Sequence, residues 1–144
     1  MVERASDDDA AEPVLRLWTC ADPRHIAWLR RHVRSFLDAY GASPDLVDDL
    51  ELVVSELATN AIRHTNTDDL SVRLTGADGH WTLDVADAED LTALDDLTLP
   101  PPHVPDGRGL YIVAALVDEI TTVETDGRWF VRCRRAGADR SSTT

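Results

Sequence analysis

Apolar positions recur along the chain at two periods, and the changes of period mark out the elements. Ile26, Leu29, Val33, Phe36, Leu37 and Tyr40 fall three and four residues apart, the spacing of one face of a helix. Asp22-Pro23 supplies an N-cap and a first-turn proline for it, and Gly41 is placed to close it in a left-handed cap. Arg30, Arg31 and Arg34 then face outward. Ser43-Pro44 starts a second helix, whose stripe of Leu46, Leu50, Val53, Val54, Leu57, Ala61 and Ile62 runs to about His64. Alternation over Val14 to Thr19, Leu70 to Thr75 and Trp81 to Ala86 predicts strands, the last two joined through Gly76-Ala77-Asp78-Gly79. A third helix opens at Gly107-Arg108-Gly109 with Leu110, Val113, Ala114 and Val117 on its apolar face. Ile120 to Glu124 and Trp129 to Arg134 then form a hairpin around Asp126-Gly127.

This order predicts an α+β two-layer sandwich: a mixed, mostly antiparallel sheet with the helices on one face. A chain of 144 residues with 43% hydrophobic content supports one core. The domain is expected over residues 14–135. Residues 1–13, with Asp7, Asp8, Asp9 and Glu12, read as a disordered acidic tail, and residues 136–144 as a disordered polar one. Ala88 to Asp106 is rich in Asp and Pro, the composition of a linker or a functional lid. No run reaches the roughly 18 apolar residues of a membrane span, and the acidic start is unlike a signal peptide, so a cytoplasmic protein is expected. Cys20 and Cys133 stand far apart and read as two buried reduced thiols. A net charge of −13 opposes contact with nucleic acid or anionic lipid and favours a basic patch on a protein partner.

Three features carry candidate chemistry. Glu56, Asn60 and His64 recur every fourth residue, with Arg63 beside them, so one helix face projects oxygen ligands of the type magnesium takes. A solvent-exposed polar stripe would produce the same pattern. Gly107-Arg108-Gly109 before a helix lets backbone N–H groups approach an anion, with Arg108 adding a cation, although glycines there also make ordinary turns. Asp87 ends the Trp81 to Ala86 strand and is either a turn residue or an acceptor for the amino group of adenine.

In this order and spacing the three features resemble the GHKL ATPase superfamily, whose domain is the Bergerat ATP-binding fold. Asp49 to His64, containing Glu56-Leu57-Ala58-Thr59-Asn60, is similar to the asparagine box of its anti-sigma-factor serine/threonine kinase branch. Gly107 to Val113 followed by Leu116-Val117-Asp118-Glu119-Ile120 is similar to that branch's second glycine box. The resemblance implies ATP and Mg2+ as cofactors, with Asn60 chelating the metal and Glu56 as general base. It further implies that Asp87 reads adenine, that Gly107 and Gly109, with Leu110 beside them, hold the phosphates, and that Arg63, His64 and Arg108 assist. It also implies a homodimer that sequesters a sigma factor and phosphorylates a small antagonist protein on serine. Trp18 and Trp28 mark the region where the dimer contact is expected. The branch's first glycine box has glycines where this chain has Ala88-Glu89-Asp90. That departure leaves open a second expectation, a protein-binding regulator of the same fold with weak or no ATP binding.

Overall fold

The computed structural model describes residues 2–5, 12–64, 68–86, 108–125 and 127–137. Six strands, β1 (Val2–Ala5), β2 (Val14–Cys20), β3 (Asp69–Ala77), β4 (His80–Ala86), β5 (Glu119–Thr125) and β6 (Arg128–Ala136), form one sheet in the order β1-β2-β3-β4-β6-β5. Every described ladder is antiparallel, so the expected mixed sheet has no parallel pair among the described residues. Helices α1 (Ile26–Ala39), α2 (Pro44–His64) and α3 (Arg108–Leu116) supply the second layer. The expectation that residues 1–13 stand outside the fold is corrected at Val2–Ala5, which pairs with β2 from Val2↔Leu17 to Ala5↔Val14. Backbone hydrogen bonding to an open sheet edge makes no demand on apolar content, so the acidic composition of the segment did not signal it.

Local chemistry fixes the element ends. Asp22 accepts from the N–H of Arg24 and begins a 3-10 turn, Pro23–His25, that leads into α1, so the α-helix itself starts four residues after the predicted cap. Its far end is a Schellman closure at Gly41, where φ is 76°, with Gly41 N–H donating to Asp38 O at 3.1 Å and Ala42 N–H to Leu37 O at 3.0 Å. Ser43 Oγ accepts from Leu46 N–H at 3.3 Å and caps α2. The β3–β4 connection is tighter than expected. It is the two residues Asp78-Gly79, with φ of 53° and 76°, angles whose twist matches that of the strands they join.

Strand register divides the sheet into two unlike faces. Leu15, Leu74, Leu83 and Cys133 lie in one cross-strand row and Leu17, Val72, Val85 and Val131 in the next, all buried under Phe36, Leu37, Leu50, Val53, Leu57 and Val113 of the helices. The opposite face carries the row Arg16, Arg73, Asp84 and Arg132. Asp84 is 5% exposed and accepts a two-point bond from Arg132, Nε to Oδ1 at 2.8 Å and Nη2 to Oδ2 at 2.9 Å. The carboxylate in turn raises the Arg132 pKa. The cysteines differ from expectation by the same alternation: Cys133 points into the core, whereas Cys20, at the end of β2 on the other face, is exposed.

Two outcomes follow from this packing. Arg132→Ala should strand a buried carboxylate and cost about 3 kcal/mol, whereas Asp84→Leu with Arg132→Met should recover most of that loss, as measured by urea denaturation. Burial pushes the Cys133 thiol up to about 12 from 9.0. At pH 8 a disulfide reagent should therefore modify Cys20 in the folded protein and Cys133 only after unfolding. The unfolded chain loses the Cys133 proton first, so this residue's contribution to stability should fall as pH rises from about 9 to about 12.

Candidate functional site

α2 has two jobs along its length. Leu46, Leu50, Val53, Val54, Leu57 and Ala61 bury against the sheet and α1, which turns the intervening stripe of Glu56 and Asn60 sideways toward α3. Both polar side chains are half-buried, and neither has a hydrogen-bond or ion-pair partner among the described residues. Both keep contact with solvent, and no buried side-chain atom among the described residues lacks a partner, so the pair is a candidate site by its place beside α3.

The first turn of α3 lies directly against these two side chains. A Cβ placed on Gly109 would sit 2.7 Å from Glu56 Oε2, 3.5 Å from Asn60 Oδ1 and 3.6 Å from Asn60 Nδ2. The first distance is shorter than a non-bonded carbon–oxygen contact allows, so a Cβ here would oblige the Glu56 carboxylate, the far end of a flexible side chain, to swing aside. The same turn exposes backbone N–H groups that have no carbonyl partner within the helix and carry the positive end of its dipole. One carboxylate and one amide thus meet the N-terminal turn of a helix. That donor set fits a magnesium-bound polyphosphate: hard oxygens for the metal, N–H groups for phosphate oxygens, and no Cβ to obstruct either.

The structure brings together three of the residues expected from the sequence, Glu56, Asn60 and Gly109. Leu110 follows on α3, half-buried and packed against the core. Arg63 is on the exposed side of α2, one turn beyond Glu56 and Asn60. His64 closes α2 and Arg108 opens α3, and their side chains are outside what is described. Asp87, Gly107 and the Ala88-Glu89-Asp90 segment also lie outside the described residues. Asp87 directly follows Ala86, which is fully buried at the end of β4, between Ser71 and Phe130 in register. Sequence reading did not foresee that Gly109 lies directly against Glu56. The signal available was only a glycine one residue inside a helix, a position where alanine is otherwise better by up to about 1 kcal/mol.

Comparison with known proteins places this arrangement. Residues 19–134 match the histidine kinase-like ATPase domain, a span that contains Glu56, Asn60 and Gly109. The chain is 30% identical to a protein of Bacillus licheniformis named serine-protein kinase RsbW, covering 69% of this chain and 71% of the relative. It is also 30% identical to the protein of the same name from Bacillus velezensis, covering 74% and 76%. The fold is similar to a crystal structure of the RsbU and RsbW domains of Rv1364c from Mycobacterium tuberculosis, with a TM-score of 0.62 at 22% identity. That likeness covers 87% of this chain and 32% of the longer one. The chain is thus a member of the histidine kinase-like, or GHKL, ATPase family, in its anti-sigma-factor serine kinase branch.

Proposed function

We propose that the protein is an ATP-dependent serine kinase of the cytoplasm that sequesters a sigma factor, acts as a homodimer and phosphorylates a small antagonist protein. The observation that carries this reading is that Glu56 and Asn60 stand side by side on α2 against Gly109 at the start of α3. Among the described residues no group of three His, Cys, Asp or Glu side chains is close enough to hold a metal alone. Asn60 would then be the protein ligand of a Mg2+ that otherwise binds phosphate oxygens and water. When bound, the metal supplies charge neutralisation on the phosphates.

The remaining steps belong to the chain's own residues. The α3 N–H groups, with Gly107 and Gly109, hold the phosphates, Asp87 accepts from the adenine amino group, and Arg63, His64 and Arg108 add positive charge. Glu56 takes the proton from the attacking serine hydroxyl as its oxygen bonds to the γ-phosphorus and the bond to the β-phosphate oxygen breaks, releasing ADP. The described residues include no helix long and apolar enough to cross a membrane.

Equilibrium dialysis tests the site. The native chain should bind ATP in a magnesium-dependent way, and Asn60→Ala should abolish that dependence. Glu56→Gln should keep ATP binding and lower phosphoryl transfer by at least about 100-fold. Gly109→Ala should drive a methyl group into Glu56 and weaken nucleotide binding by at least about tenfold with little loss of fold. Normal ATP binding by Gly109→Ala would contradict the placement of the site.

A second reading rests on Ala88-Glu89-Asp90, which stands where the family has glycines. In that reading the chain keeps the fold and the partner surface but binds ATP weakly and transfers nothing. Glu89→Gly should then raise ATP affinity. If the native chain already binds ATP tightly and the substitution changes nothing, this second reading fails.

A further inference from the structure

The sequence of α3 calls for cover that the fold does not supply. After Arg108 the helix carries no charged residue, and a helix that is apolar on all sides is ordinarily buried on all sides. Here Val113 is fully buried, but Tyr111 and Ile112 are 42% and 37% exposed and Ala115 is exposed beside them. On α2, Leu52 is 41% exposed and interrupts an outer face that otherwise carries Asp45, Asp48 and Thr59.

Contacts at both ends of the two helices bring these residues together. Gly109 opens α3 beside Glu56 and Asn60, whereas Asp118, just past its end, donates its N–H to Arg134 O at 2.8 Å and accepts from the N–H of Ala136. At that same end of β6, Arg135 Nη2 donates to Asp49 Oδ2 at 2.8 Å, and a Cβ on Gly137 would stand 3.2 Å from Leu46 Cδ1. The late end of α3 therefore lies with the early end of α2, and the helices run antiparallel. Leu52 is one turn before Glu56 and Ile112 one turn after Gly109, each on the same face as that neighbour. The two apolar residues thus come level with each other, about 5 Å along from the Glu56–Gly109 contact.

A serine hydroxyl that reaches Glu56 carries the residues around it over this patch. Charge narrows the occupant. Asp45 and Asp48 are exposed along α2 beyond Leu52, with Asp48 bonded to Arg34 at 2.7 Å. The chain's own residues 88–106 contain Glu89, Asp90, Asp95, Asp96 and Asp106 and no arginine, which matches a surface edged by carboxylates poorly. A second copy, at −13, matches it no better. A segment that combines apolar and basic residues fits both the patch and its rim.

We propose that Leu52 and the outward side of α3 form the docking surface for the serine-bearing acceptor protein, which seats an apolar side chain against Leu52 and Ile112 while its serine meets Glu56. The inference rests on the kinase reading and adds what the acceptor must carry. One helical turn is ~5 Å and an extended chain advances about 3.3 Å per residue, so the apolar residue stands two to four positions from the serine. A basic residue further out faces Asp45.

The test follows phosphoryl transfer from magnesium ATP to capped peptides with one serine and one arginine in an alanine-rich background, through which a single leucine is moved. Magnesium-dependent ATP binding by the same full chain is measured alongside. Leucine two to four positions from the serine should raise kcat/KM at least about tenfold over the leucine-free peptide. Leu52→Ser and Ile112→Ser should each erase that preference through KM, leaving ATP binding and transfer to the leucine-free peptide unchanged. Both residues are exposed, so both variants should fold. Equal transfer to every peptide would overturn the proposal, as would a leucine preference that survives both substitutions or an absence of transfer from a chain that binds ATP. A shift of ATP affinity in both variants would also overturn it, by assigning the patch to residues 88–106. Failure of the kinase reading looks different: the native chain then shows no magnesium-dependent ATP binding, and the docking proposal falls with it.

Discussion

The approach of Gly109 to Glu56 is the constraint on which the functional half of the molecule depends. A helix pair ordinarily separates by the width of its side chains, 8–10 Å between axes, and only loss of a side chain lets a backbone come within reach of a neighbouring carboxylate. With glycine at 109, the start of α3 meets the polar stripe of α2 directly, and N–H donors and oxygen acceptors share one small volume. A residue with a Cβ would displace the Glu56 carboxylate from this position. Glycine is a poor helix former, so its presence inside the first turn is a local cost that the contact explains.

The two faces of the sheet divide the remaining physical work. One is apolar and continuous across β2, β3, β4 and β6, and it holds α2 by the residues that flank Glu56 and Asn60, so the orientation of the site is a by-product of core packing. The other has no helical cover among the described residues and is organised by arginine. Asp84 sits between Arg73 and Arg132 in register and bonds the latter through two oxygens, which lets a carboxylate be 95% covered without an unsatisfied atom. Further toward the edge, Arg128 reaches past the end of β4 to Asp69 at 2.8 Å and Ser71 at 3.3 Å. These pairs tie β6 to β3 across β4 and hold the strand end from which Asp87 follows.

Much of this was legible in the sequence because it depends on local rules. The stripe from Leu46 to Ile62 and the Ser43 cap gave α2 to within a residue. Gly41 gave the end of α1, and the alternation in β3 and β4 gave their buried faces. The i, i+4 spacing of Glu56 and Asn60 placed both on one side of α2. What the sequence left open depends on contacts between distant segments. β1 exists only because β2 offers an edge, and its own residues have no strand pattern. The fate of Cys20 depended on which face of β2 each residue takes, and an apolar residue type was a misleading guide at a strand end. The packing around Trp81 draws Gly76, Gly137, Phe36 and Tyr40 from three other elements, and no single motif announces it.

Electrostatics decide how so acidic a chain can hold an anion at all. At physiological ionic strength charges are screened beyond about 8 Å, so most of the carboxylates behind the −13 total contribute little at the start of α3. What counts in the proposed site is the short-range field: the helix N-terminus, the metal that Asn60 would hold, and whatever guanidinium groups lie close. Every one of the 14 cationic side chains in this protein is arginine. An arginine stays charged at any physiological pH and offers paired donors to phosphate, whereas lysine is a point charge.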